Sequence, residues 1–393
     1  MANDLTANTQ WSNRPADERF WNLESMRNRA GRYQREAVIK TIPVKDFAIS
    51  PNGAELQIVG KNSGKTANFT HWSFGQFCQM LTCPPSFLRT ISPNLASNCL
   101  MERLAGVDEK LTTMALYNVN GDVNARAFTS EGYGRVWNVD VIDRLIPLAG
   151  SGWRIPPARP CGCVNEATRI ATEADVLENR MSGLGINVGD TIAPAGLYQS
   201  DKDMFAFMVN EKYPIDNDGS SPLYRGFYLT NSEVGAKSVW LTTFLYNSIC
   251  GNHIAWGVSC VQVNRVIHRG DLTLDRTFKM INTFLGQYSQ ASAKETADAI
   301  RVAKTHELGK DKKEVTEFLY TKDIATYNDL EAAFDTAVEH PEDGGAPTTA
   351  WGMASGLTRI SQNKIYTEER VELDKAAGKI LALVGATVSP IAV

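Results

Sequence analysis

The stretch that most limits what this chain can fold into runs from Tyr224 to Gln262. It is the densest run of β-branched and aromatic residues in the sequence, broken by Gly235 and by Cys250-Gly251-Asn252-His253. β-branched and aromatic side chains suit a pleated surface, while Gly and Asn tolerate turns, so the pattern reads as strand, turn, strand. Three consecutive strands are expected at 223–229, 237–249 and 253–261, two of them a hairpin, with the rest of the chain packed around them.

The composition suits such a core. The chain has 393 residues, 43% of them hydrophobic and 21% charged, enough to bury one large core or two modest ones. No apolar run reaches the length of a bilayer span, so no membrane partner is expected. The opening Met-Ala-Asn-Asp-Leu-Thr has neither the basic nor the apolar region of a secretory signal. Seven scattered cysteines then read as reduced thiols of a cytoplasmic protein. The net charge of −4 by itself points to no polyanionic partner, but the charge is unevenly spread. Residues 14–45 carry eight Arg/Lys against four Asp/Glu, and 262–313 carry ten against six. Residues 314–343 carry one basic group against nine acidic ones, which suits a basic surface with an acidic segment turned elsewhere or masking it.

Along the chain, 17–39 reads as a helix, 44–50, 55–59 and 67–70 as strands, and 72–81 as a helix closed by Pro84-Pro85. A further helix runs from Pro93 towards Leu104. Strands at 111–117 and 123–128 flank an Asn-Gly turn, a hairpin signal. A short helix follows at 139–148, and 150–196 is an irregular excursion with one helical piece at 173–180. A strand at 203–210 and helices at 272–308, 326–338 and 367–383 complete the reading. The expected class is α+β: an antiparallel sheet from 111–128 and 203–262, helices packed on one face, and a C-terminal helical extension. Three regions are expected: a basic helical arm at 1–45, a core domain at 46–313 and an acidic helical extension at 314–393.

Several motifs fail on their chemistry. Gly60-Lys61-Asn62-Ser63-Gly64-Lys65-Thr66 lacks phosphate-loop spacing, since Val59 stands where the first Gly is needed and a strand-like segment follows; a polar hairpin turn is expected. Cys161-Gly162-Cys163 and Cys250 with His253 do not have the paired spacing of a zinc site. Asp216-Asn217-Asp218-Gly219 starts like a calcium loop but has no glutamate at the twelfth position, so a turn is expected there too. No cofactor or metal is expected.

One constellation survives. Arg126, Tyr133 and Arg135 stand beside Phe128 and Trp137, and Arg225, Lys237 and Trp240 lie in the strand-rich stretch, with Arg265 and Arg269 flanking it. Single-stranded nucleic acid is held by this mixture, because cations track phosphates while rings stack on bases. The competing reading of each ring is a place in the core, since half of a strand's side chains point inward.

Several segments resemble a known family. They are Gln76-Phe77-Cys78 followed by Pro84-Pro85-Ser86-Phe87-Leu88, then Arg126-Ala127-Phe128-Thr129-Ser130-Glu131-Gly132-Tyr133, Asn231-Ser232-Glu233-Val234-Gly235 and Cys250-Gly251-Asn252. The likeness is to the phage/plasmid-like proteins catalogued as domain of unknown function 932, over roughly residues 40–380, with His253 where that family often has Gly. It implies a mobile-element context in a bacterial host cell and no settled activity. The leading expectation is a non-enzymatic protein that binds single-stranded nucleic acid in recombination or replication and forms homo-oligomers. The alternatives are an assembly protein joined through complementary charged segments, and an enzyme with its site at 150–196.

Overall fold

The computed structural model describes residues 17–53, 55–107, 111–119, 122–160, 168–179, 186–218, 220–247, 253–254 and 274–385. It has the expected α+β class, with antiparallel sheets and a C-terminal helical stretch. The 111–128 hairpin, expected in the same sheet as 203–262, lies in a second sheet of its own.

The large sheet places Glu18–Phe20, Leu197–Gln199, Met204–Asn217, Ser220–Asn231, Trp240–Asn247 and His253–Ile254 side by side in that order, all antiparallel. Trp153–Arg154 pairs beside Val209 and Asn210. Alternation along the central strands separates two apolar faces. Leu197, Met204, Ala206, Met208, Phe227, Leu229 and Leu241 point one way, into a core shared with helices Leu23–Glu36, Asn138–Leu145 and Leu274–Ser289. Tyr198, Phe205, Phe207, Tyr228, Phe244 and Tyr246 point the other way and meet Val371 of helix Thr367–Leu383. Covering on both faces is why this stretch is apolar at nearly every position.

The second sheet contains Val38–Pro43, Phe47–Asn52, Glu55–Gly60, Thr66–Phe69, Leu111–Val119 and Asp122–Thr129. Residues 38–52 act as one bent strand, turned at Val44–Asp46. Its first half pairs with Leu111–Val119 and its second half with Glu55–Gly60. Thr66–Phe69 then runs parallel to Asp122–Thr129, which closes the set. Counting the bent strand as the first, the order is 1-2-3-5-4-1, a five-stranded Greek-key barrel. Helices His71–Met80, Pro85–Leu88 and Pro93–Ala105 come between its third and fourth strands and supply Phe74, Phe77, Leu88 and Leu100 to its core. Phe47, Phe69, Phe77 and Phe128 meet there ring to ring at 5.2–6.1 Å.

Helices Ala293–Thr305, Lys312–Thr321, Tyr327–Glu339, Ala350–Ser361 and Thr367–Leu383 share a third core. Four of them begin at Ser292, Asp311, Thr326 and Thr349, whose side chains accept backbone N–H bonds of the first turn. The expected boundary at 313/314 falls inside this core, because Ala297 and Ile300 pack with Val315 and Leu319. The boundary at 45/46 falls inside the bent first strand of the barrel. Beyond an irregularity after Asn210, the hairpin of Met204–Asn217 and Ser220–Asn231 carries Ile215 and Leu223 into the same helical core.

Local expectations map onto this frame. Gly60–Thr66 is the turn between the second and third barrel strands, with Gly64 at φ +63°. Asp216-Asn217-Asp218 is the tip of the long hairpin, where the two carboxylates face Arg301. The helix expected at 272–308 is two helices, Leu274–Ser289 and Ala293–Thr305, with the break between them. The chain expected as helix over 17–39 is helical only at Leu23–Glu36, with strands on either side. Cys161, Cys163 and Cys250 lie outside the described residues. Among the described residues no group of His, Cys, Asp and Glu could hold a metal, and no helix is long and apolar enough to cross a membrane.

Gly235 takes φ +88° in the connection between Ser220–Asn231 and Trp240–Asn247, a conformation that suits Gly. A Cβ there would meet neighbours only at ordinary contact distance, 3.5 Å and beyond, so the cost of a side chain is backbone strain. Gly235→Val is expected to lower stability by about 1–3 kcal/mol in chemical denaturation. Wild-type stability in this variant would contradict the turn geometry.

Candidate functional site

The structure gathers part of the expected constellation around one turn, Asn231 to Gly235, burying Arg126 and leaving Tyr133 and Arg135 half-buried. Arg126, from the fifth barrel strand, is 6% exposed and reaches Glu233, which is 1% exposed, at 2.8 Å. Its second nitrogen donates to the Ser200 carbonyl at 3.3 Å, and its guanidinium lies 4.4 Å from the centre of the Tyr33 ring. The other Glu233 oxygen accepts the Asn138 backbone N–H at 3.1 Å, at the start of helix Asn138–Leu145. The N-terminal end of a helix dipole favours that charge. Arg135 donates to the Glu233 carbonyl and packs between the Tyr133 and Trp137 rings. Tyr133 donates to the Ser232 carbonyl at 3.1 Å, and burial pushes its hydroxyl up to about 12. Gln76 bridges the barrel and the turn, donating to the Val234 carbonyl at 2.8 Å and accepting from the Phe128 N–H at 3.0 Å.

The other expected contacts lie apart from this turn or are engaged elsewhere. Arg225 is buried, donates to the Ala291 and Ser292 carbonyls, and has its pKa lowered mainly by burial. Lys237 pairs with the buried Asp203 at 3.1 Å and lies over the Phe205 ring. Trp240 is half-buried, with its indole N–H on the Thr242 hydroxyl. Arg265 and Arg269 lie outside the described residues. A single exposed groove of Arg126, Tyr133, Lys237 and Trp240 is therefore not what the fold builds, since Arg126 is sealed in a buried ion pair. Glu233 is the reason, and its partner stands 107 positions away.

The basic arm is committed as well. Arg27 pairs with Asp143, Arg29 with Glu18 and Arg32 with Glu36. In the acidic segment, Asp335 meets Lys312 and Asp329 meets Lys364. Much of the charge segregation visible in the sequence is thus spent within the chain.

A second buried cluster lies on the other face of the large sheet. Arg370 donates to the Tyr198 hydroxyl at 2.9 Å, and Asp374, 2% exposed, accepts from the Ser361 hydroxyl at 2.7 Å. Arg159 comes from the 150–196 excursion and donates to Gln362 at 2.6 Å. Burial, opposed by Arg370, Ser361 and Arg159, pushes the Asp374 carboxyl up to about 7.

What remains open is the mouth of the barrel, a cavity of about 370 Å³. Its floor is Phe47, Ile58, Ala67 and Met114. Val38, Lys40 and Ile42 line one wall at strand spacing, and Gly60, Ser63, Lys65 and Thr66 line the opposite one. Lys40 and Lys65 are exposed, and among the described residues neither is in an ion pair. Val38 and Val123 add exposed apolar surface at the rim. Sequence reasoning missed this site because both lysines sit in short strands or turns, where no spacing rule marks them. Comparison of the chain with protein-family models, curated proteins and solved structures gave no match in any of the three.

Two outcomes follow from the buried charges. Removing one partner of a buried pair leaves the other uncompensated, so Glu233→Ala is expected to cost about 3–5 kcal/mol. Replacing both Glu233 and Arg126 with apolar residues should cost less than the two single changes summed, as a double-mutant cycle would show. For Asp374, the folded pKa lies above the unfolded one near 3.9, so its contribution to stability is full below that value and falls as pH rises through about 7. Asp374→Asn should flatten the decline of stability between pH 4 and 7, measured by urea unfolding.

Proposed function

We propose that this protein binds single-stranded nucleic acid at the open mouth of its barrel. The observation that carries this reading is the strand order 1-2-3-5-4-1 with a parallel closing pair, left open at a lysine-rimmed, apolar-floored mouth. Oligonucleotides are bound by five-stranded Greek-key barrels of this kind, on the second and third strands and the 1–2 and 4–5 connections. Here the mouth takes in the second strand, the third strand and Val123, which follows the 4–5 connection. Fold alone does not assign function, so the chemistry of the rim matters more. Lys40 and Lys65 present positive charge to phosphates, and the floor offers apolar surface to bases. The resemblance to proteins of domain of unknown function 932 supports a phage or plasmid setting, with recombination or replication as the process served.

A second reading, self-assembly, has its own observation. Ile170, Leu177 and Val188 are each about 60% exposed, on a strand, a helix and a turn of the segment that holds Arg169–Ile170, Glu173–Asn179 and Thr191–Ala193. Exposed apolar patches of this kind mark contacts between chains. Light scattering of wild type and of Leu177→Asp separates it from the first reading, since loss of an oligomer with binding intact would assign the patch to assembly alone.

The nucleic-acid reading predicts strong salt dependence. Lys40→Ala with Lys65→Ala should weaken binding to single-stranded DNA and reduce the slope of log K against log salt by about 0.7 per lost phosphate contact. Met114→Glu, on the floor, should weaken binding of short oligonucleotides through lost apolar contact and added negative charge. An unchanged salt slope in the double lysine variant would sink the proposal.

A further inference from the structure

A second cavity, of about 400 Å³, lies where the barrel helices face the C-terminal helix. One wall is His71–Met80, which contributes Trp72, Gln76 and Gln79; Pro85 and Arg89 stand beside it. The facing wall is Tyr366, Glu368 and Glu369 at the start of Thr367–Leu383, with Lys202 from the connection before Met204–Asn217.

The charges of this cleft are only partly matched. Lys202 and Glu368 pair with each other, and the Lys202 ammonium stands 5.7 Å from the Trp72 ring. Asp201 holds the Trp72 backbone N–H at 2.6 Å. Arg89 is different. Its Nη2 donates to the His71 carbonyl at 2.8 Å, its Nε is buried without a hydrogen-bond partner, and no carboxylate among the described residues pairs with it. Burial lowers its pKa, which Asp201 offsets only in part, and the Phe74 ring lies 5.5 Å from the guanidinium. Across the cleft, Glu369 is exposed and also without an ion pair among the described residues. One cation only partly compensated and one exposed first-turn anion without an ion pair among the described residues therefore line the same cavity, and Trp72, Pro85 and Tyr366 give it apolar surface.

We infer that this cleft binds a small zwitterion of the amino-acid class, its carboxylate at Arg89 and its ammonium at Glu369, with the intervening carbons against Trp72 and Pro85. A single anion would find Glu369 against it, and a single cation would find Arg89 against it. Only a molecule carrying both charges satisfies both groups, and an arginine fork suits a carboxylate geometrically. A pocket of this size encloses a molecule of that class. The inference is independent of nucleic-acid binding at the barrel mouth.

Calorimetric titration of the full chain with glycine, 4-aminobutyrate and 6-aminohexanoate tests it, with butyrate and butylammonium as singly charged controls. At least one zwitterion is expected to bind with a Kd of about 1 mM or tighter, about −4 kcal/mol. Each control should bind at least about tenfold more weakly, a loss of about 1.4 kcal/mol. Arg89→Gln and Glu369→Gln should each lose binding about tenfold, and Glu369→Gln, at an exposed position, keeps the test valid if the arginine variant does not fold. Lys40→Ala should bind the zwitterion as wild type does. Absence of binding by all three zwitterions, equal binding of the controls, or full binding by Glu369→Gln overturns the inference.

Discussion

The Glu233 carboxylate is the joint on which the arrangement of this molecule depends. One oxygen holds Arg126 of the barrel, the other caps helix Asn138–Leu145, and the residue itself belongs to the turn that leaves the long sheet hairpin. Tyr33, from helix Leu23–Glu36, closes over the guanidinium. Four elements from distant parts of the sequence thus meet at one buried charge. Desolvating such a pair is expensive, and only its full set of hydrogen bonds offsets that cost. The pair thereby ties the barrel to the turn of the large sheet at one defined point.

That joint also explains what remains available for function. Of the arginines that looked like a binding face, Arg126 is pinned to a carboxylate and Arg135 and Arg225 to backbone carbonyls, while Arg27, Arg29 and Arg32 pair with carboxylates along Leu23–Glu36. Surface pairs of that kind contribute little to stability, but they neutralise the local field. Among the described residues, Lys40 and Lys65 at the barrel mouth and Arg89 in the second cleft are cations without an ion pair that also line a cavity. The sites proposed for this chain therefore follow its cavities more closely than its charge counts.

Legibility in the sequence divides along the range of the interactions. Helix Thr367–Leu383 was readable to the residue, and the hairpin of Leu111–Val119 and Asp122–Thr129 was readable from its Asn-Gly turn. Gly235 was readable as a left-handed position, because the need there is local. Val38–Pro43 was missed although four of its six residues are β-branched, Val38, Ile39, Thr41 and Ile42; the arginine-rich helix before it drew the reading onward. Helices Lys312–Thr321 and Ala350–Ser361 carried weaker signals. The second contains Gly352 and Gly356, which lower helix propensity, yet a side chain at Gly356 would strike the Ala333 carbonyl. The barrel itself was not legible, since its closing pair joins strands more than fifty residues apart, and no local rule states such a pairing. The Arg126 site failed for the same reason: alternation told which way a side chain alternates, not what covers it.

One small contact joins the far parts of the chain. The Asp17 carboxylate accepts the backbone N–H of Thr367, 350 positions later, and the adjoining strand Glu18–Phe20 pairs with Leu197–Gln199. During synthesis, that first strand emerges from the ribosome long before its sheet partner, and the helix that Asp17 anchors comes later still. The barrel, whose strands all lie within residues 38–129, can close while translation continues. The strands of the large sheet lie within residues 18–254 and can also pair before synthesis ends, but the face that meets Val371 stays uncovered until helix Thr367–Leu383 has been made. Until then the Phe205, Phe207, Tyr228 and Phe244 side of the sheet is bare apolar surface, the kind that makes a growing chain prone to aggregate.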